Sequence, residues 1–196
     1  MSAIGRRERT KAANREAILT AGRDVFVETG FDNASVRDII RRTSLASGTF
    51  YNYFPDKEAV LHEILAEATE EIRVRVHAAR RDATTVEEFV AGGLRAYVEY
   101  LDGDRATLAL MSRNAGTMRA MFDSGSIGAG VEDLKTDLDA AMAAGLVRPH
   151  DTGLMAAAMV GAAVEVTIRL GDEERPDLEG AVELLTSVFV AGLEPR

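Results

Sequence analysis

Ser47, Thr49, Tyr51 and Asn52 crowd into the run SLASGTFYNYF, interleaved with Phe50 and Phe54. Two hydroxyls, a phenol and a carboxamide are short, uncharged donors and acceptors. Groups of this kind reach phosphate oxygens and base edges without the desolvation cost of a charge. Gly48, among them, removes a side chain where a nucleic-acid backbone would come close. Arg37 upstream can meet a phosphate or a guanine edge. Lys57 downstream can grip a phosphate together with the free N–H groups of a helix start. Each of these residues alone is what a solvated helix face carries; their clustering points to a contact surface.

The charge distribution sharpens that reading. Residues 1–54 hold nine Arg and Lys against six Asp and Glu, a net +3 in a chain of 196 residues whose formal net charge is −9. A modestly basic head suits approach to phosphates, and an acidic remainder repels them.

Other chemistries lack their residues. The chain has no cysteine, which excludes disulfides, thiolate metal sites and a cysteine nucleophile. His62, His77 and His150 are scattered, and no HExxH, GxSxG or phosphate-loop pattern occurs, so we expect no enzyme, no metal and no cofactor. The basic N-terminus lacks the apolar stretch of a signal peptide. The longest apolar run, Gly153 to Val164, is too short for a membrane span. We therefore expect a cytoplasmic protein.

The elements that must position these residues read as helices throughout. Ile18, Ala21, Gly22, Val25 and Phe26 form one buried face of a helix over Thr10–Thr29, stopped by Gly30. Ser35 with Asp38 is a capping-box start for a second helix, lined inside by Val36, Ile39 and Ile40. After a break at Thr43-Ser44, a short third helix runs from Ser47 to Tyr53, and Pro55 ends it. Leu45, Phe50 and Phe54 drop into the core, which leaves Ser47, Gly48, Thr49, Tyr51 and Asn52 outward. A supporting helix followed by two helices across a tight turn is the arrangement that lays a helix in a DNA major groove.

Six further helices follow. Asp56 caps one reaching Arg81, and Thr85 with Glu88 caps the next, to Gly103. Asp104 opens a sixth, kinked at Gly116, and the glycine-rich DSGSIGAG, residues 123–130, reads as a loop. A seventh stops at Gly145, and Asp151 and Asp177 start the eighth and ninth. The expectation is an all-α chain of about nine helices. Residues 1–55 form a helix-turn-helix domain and 56–196 a helical domain, with the helix from 56 to about 81 connecting them.

The segment REAILTAGRDVFVETGFDNASVRDIIRRTSLASGTFYNYFPDKEAVLHEIL resembles the N-terminal domain of the TetR family of bacterial transcriptional regulators over about residues 14–65, with GTFYNYFPDKEAV its most specific part. The resemblance implies contacts to operator DNA from Arg37, Ser47, Thr49, Tyr51, Asn52 and Lys57. It also implies a helical C-terminal domain that binds a small molecule and dimerises through its last two helices. The chain departs from the family at the turn, where Ser44-Leu45-Ala46 replaces the usual Gly-Val-Ser. If that glycine's place needs positive φ, the loss costs about 1 kcal/mol. Loss of the N-cap hydroxyl at Ala46 costs a similar ~1 kcal/mol. Ile40 is larger than the alanine often found there.

In the remainder, small residues of the eighth helix (Ala156, Ala157, Ala158, Gly161, Ala162, Ala163) and the apolar stripe of the ninth suit a homodimer interface. Phe89, Tyr97, Tyr100, Met111, Met118, Met121 and Phe122, with Met155 and Met159, are candidates for an effector pocket, since methionines adapt to irregular contents and tyrosines orient polar groups. Arg113, Arg119 or Glu165 could pair with a charged ligand. These features together suggest a sequence-specific DNA-binding regulator on a double-stranded, pseudo-palindromic operator; the resemblance to the TetR family implies that it is ligand-responsive, a repressor released by a small-molecule effector. The alternative is a helical adaptor, or a small-molecule-binding protein without DNA regulation.

Overall fold

The computed structural model describes residues 3–120, 126–171 and 173–194. It divides into two compact units, Met1–Ala66 and Glu67–Arg196. The described residues contain helices and no strands.

In the first unit, helix α1 spans Ala3–Thr29. It begins earlier than the buried stripe alone requires, because the stretch before Thr10 is rich in good helix formers and holds no proline. Ile18, Leu19, Ala21, Val25 and Phe26 are buried. Gly30 takes φ +78 and returns its N–H to Phe26 O at 3.1 Å, a left-handed stop that a Cβ would strain. A Cβ on Gly22 would lie 2.6 Å from Val60 Cγ1, so the glycine is what lets α1 and the start of α3 pack this closely.

Helix α2, Val36–Arg41, starts with the expected capping box. The Asp38 N–H donates to Ser35 Oγ, and the Ser35 N–H and hydroxyl donate to Asp38 Oδ2. Thr43 shapes the turn that follows: its hydroxyl donates to Ile40 O at 2.9 Å and accepts from the Leu45 N–H at 3.1 Å. No non-glycine residue among those described has positive φ. Ser44 therefore fills the family's glycine position without the strain considered above. The segment after it, Ser47–Asn52, is a 3-10 helix whose N-cap, Ala46, makes no side-chain bond. The tighter winding is common in short pieces of this kind.

Helix α3, Lys57–Arg81, opens with the Ala59 N–H on Asp56 Oδ1 at 2.7 Å. Its residues up to Ala66 belong to the first unit and the rest to the second. Val60, Leu61, Ile64 and Leu65 complete the core of the head.

The second unit continues with α4 (Val86–Gly103), α5 (Arg105–Arg113), α6 (Ala115–Ala120), α7 (Ser126–Ala143), α8 (Thr152–Leu170) and α9 (Leu178–Leu193). Thr85 with Glu88, Asp104, Asp151 and Asp177 cap α4, α5, α8 and α9. Helix α9 packs on α4, while α7 and α5 pack on α8. The core includes Phe89, Val90, Leu94, Leu134, Leu138, Met159 and Val182.

Two expectations are corrected. The chain breaks at Asn114 rather than Gly116, where the side-chain amide donates to Leu110 O at 2.7 Å and competes with the helical bond. Residues 126–130, expected as loop, are the first turn of α7. Burial of Ile127, Leu134 and Leu138 along one face draws the glycines into the helix.

Candidate nucleic-acid interface and effector cavity

The geometry of the 3-10 segment follows from two anchors. Phe50 and Phe54 are buried, with ring centroids 6.1 Å apart. Tyr51 stands edge-on to Phe50 at 5.4 Å and is 64% exposed. Ser47, Gly48 and Asn52 are also exposed, and Thr49 is half-buried. A Cβ at Gly48 would meet nothing within 4 Å, so the chain's own packing does not require glycine there. Leu45 is only half-buried, a looser anchor than expected. Tyr53, which the sequence reading passed over, accepts a bond from Asn14 Nδ2 at 3.1 Å and ties the segment to α1. No short-range pattern announces a partner 39 positions away.

Arg37 is exposed in the first turn of α2. Arg42 forms a two-pronged pair with Glu28, with Nη1 2.7 Å from Oε1, which fastens the end of α2 to the end of α1. The hydrogen bond from Arg42 holds the Glu28 carboxyl below its usual range. The Ser35 hydroxyl and N–H do the same for Asp38. Lys57 has a different use from the phosphate contact expected of it. Its ammonium donates to the carbonyls of Phe31 at 2.8 Å, Ala34 at 3.0 Å and Asp32 at 3.3 Å. An ammonium has three donors, and all three are directed at the loop between α1 and α2.

The second unit holds a cavity of ≈ 110 Å³. Of the expected effector residues, Phe89, Tyr97, Met111, Met118 and Met159 line it. Tyr100 does not; the Arg75 guanidinium stacks over its ring at 5.1 Å. Met155 packs against the core beside Gly192, away from the cavity wall. Met121 and Phe122 lie outside the described residues. Arg119 pairs with Glu165 at 2.6 Å on the surface, and neither they nor Arg113 line the cavity.

Helix α3 supplies wall residues that the sequence reading missed: Thr69, Ile72, Arg73, Val76 and Arg80. Ile72, Val76 and Arg80 repeat every four residues, a spacing that marks one helix face. Arg80 is only 8% exposed, and its Nε donates to Asp137 Oδ2 at 2.9 Å. Burial pushes this guanidinium's pKa down, while Asp137 pulls it back up. Arg73 is held by Glu70 at 2.7 and 2.8 Å and by Asp133. Tyr97 Oη is buried without a hydrogen-bond partner. Burial raises the phenol's pKa to about 12, and the neighbouring Thr167 side chain works against that rise.

A head of this form, one long helix and two six-residue helices closed by the start of α3, with a polar row on buried aromatics, has known counterparts. Residues 18–64 match the sequence profile of the bacterial regulatory proteins of the tetR family. The head is similar to the N-terminal region of that family. YvdT of Bacillus subtilis (strain 168), an uncharacterized HTH-type transcriptional regulator, is 38% identical to it over 66 residues, 32% of this chain and 34% of YvdT. The HTH-type transcriptional repressor DhaR of Mycobacterium sp. (strain GP1) is 29% identical over 94 residues, 45% of this chain and 46% of DhaR. The chain thus spans between about a third and a half of the length of these curated relatives. Among solved structures, the fatty acid degradation regulator FadR from Bacillus halodurans aligns with a TM-score of 0.77 at 23% identity, over 93% of this chain and 97% of FadR. That likeness concerns the fold. Within the matched head, the GTFYNYFPDK run carries the aromatic anchors and most of the polar row.

Proposed function

We propose that this protein is a ligand-responsive, sequence-specific transcriptional regulator that represses from a double-stranded operator and is released by a small molecule. The observation that carries this reading is the row of exposed Ser47, Gly48, Tyr51 and Asn52 with half-buried Thr49, seated on buried Phe50 and Phe54, in a head that matches the tetR family. Arg37 joins that row as a phosphate or base contact. The matched relatives are transcriptional regulators, which favours regulation over catalysis.

The functional division follows the chain, with residues 1–55 reading DNA and 56–196 binding effector and partner. Apolar side chains on α8 and α9 support a homodimer: Leu154, Leu184 and Val188 are 72%, 58% and 56% exposed. Helix α8 is long and apolar enough, by length and composition, to cross a membrane. Its Glu165 and Arg169, and the burial of Ala156, Met159 and Ile168 in the core, favour a cytoplasmic protein that covers this face with a second copy. A two-fold dimer presents its heads to successive major grooves about 34–36 Å apart, which calls for a pseudo-palindromic site.

Release is a population shift. Helix α3 contributes residues to the cavity wall and, in its first turns, to the core of the head. An effector that favours the form of α3 incompatible with the operator needs a coupling of about 1–3 kcal/mol. Gel retardation on DNA flanking the protein's own coding region tests the reading. Salt-sensitive, sequence-specific retardation supports it, and binding indistinguishable from that to unrelated DNA overturns it.

A further inference from the structure

The cavity in the second unit states what kind of molecule fits it. Resting on the effector reading above, we infer that the ligand is uncharged, about the size of one six-membered ring, and carries a hydroxyl or equivalent polar group that pairs with Tyr97 Oη. Three observations lead there. The volume of ≈ 110 Å³ is somewhat below that of an apolar cavity of about 150 Å³ that holds benzene. The wall is formed mainly by aliphatic, methionine and aromatic side chains such as Ile72, Phe89, Leu94 and Met118. Tyr97 lines it, and its hydroxyl is buried with no partner within the protein.

Charge is the discriminating feature. The described wall includes two guanidiniums and no carboxylate. Arg80 is already bonded to Asp137, and Arg73 to Glu70 and Asp133. An anionic ligand would meet cations whose charge is answered, and an ammonium ligand would meet no carboxylate on the described wall. Either would be buried without compensation, which is unfavourable. A neutral ring with one hydroxyl avoids both costs and satisfies the phenol.

The test uses the full chain without DNA and four one-ring probes: phenol, toluene, benzoate and benzylamine. Binding is read by titration calorimetry and by ligand-observed NMR. Phenol and toluene are expected to bind at least about tenfold more tightly than benzoate and benzylamine. In Tyr97→Phe the phenol-to-toluene affinity ratio should fall on the order of tenfold, about 1.4 kcal/mol. Its melting point should hold, since the hydroxyl removed makes no bond. The ranking in the unaltered protein tests the charge argument even if that variant folds poorly. Benzoate or benzylamine binding as tightly as phenol, an unchanged ratio in Tyr97→Phe, or no binding of phenol and toluene would each overturn the inference. Because no DNA is present, phenol binding by a protein that fails to retard its operator would sink the regulator reading and leave the ligand class supported.

Discussion

The Lys57 ammonium sits 4.5 Å from the centroid of the Phe31 ring and donates to the carbonyl of the same residue at 2.8 Å. One side chain thus engages both the face and the backbone of Phe31, and its other donors reach Asp32 and Ala34. The loop leading into α2 is organised around a cation, and an arginine's planar fork would not fit three converging carbonyls.

Removing that cation should act on the fold before it acts on DNA. Lys57→Ala is expected to cost about 1–3 kcal/mol, because it strips partners from partly buried carbonyls. Chemical denaturation measures this. If the ammonium stays on the loop in the complex, the slope of log affinity against log salt should not change, whereas loss of a phosphate contact would lower it by roughly 0.9.

Tyr51 makes the opposite case. Its side chain is largely exposed and contributes to the head only through the edge of Phe50. Tyr51→Ala should leave the melting point nearly unchanged and abolish specific retardation. Normal operator affinity in that variant would remove the 3-10 segment from the interface.

Apolar exposure on α8 and α9 predicts the effect of charge there. Leu184→Glu with Val188→Glu should convert a dimer to a monomer in sedimentation equilibrium without unfolding the chain, since neither side chain belongs to the buried core. Operator affinity should then fall, because each head would bind its half-site alone.

The capping boxes predict a pH dependence. Ser35 holds Asp38, and Thr84 with Thr85 holds Glu88, below their ordinary values. A carboxyl depressed in the folded state contributes its full stability above the unfolded value, about 3.9 for Asp and 4.3 for Glu. That contribution is lost as pH falls through the lower folded value. Asp38→Ala combined with Glu88→Ala should lower the melting point at pH 7 and narrow its further drop on acidification, as seen by circular dichroism.

Sequence reading reached whatever is decided locally. Ser35 with Asp38 and Thr85 with Glu88 lie three residues apart, and the structure forms both boxes as expected. Phe50 and Phe54 are buried and Tyr51 exposed because a short helix turns these positions to different sides. What escaped depends on distant partners. Arg80, near the end of a long helix, is buried against Asp137, 57 positions away, a pairing that no local pattern announces. The glycines of residues 126–130 spell a loop by propensity, but the buried stripe of α7 overrides them. Lys57 sits where a helix start invites a phosphate, and only the path of the preceding loop reveals its three carbonyls.

The contact at Gly22 has one more result. With only a hydrogen standing between α1 and Val60, the two helices have no slack at that point and interlock like gear teeth. When the opening turns of α3 tilt, α1 must travel with them, and the polar row that Asn14 and Tyr53 fasten to α1 is carried along as cargo.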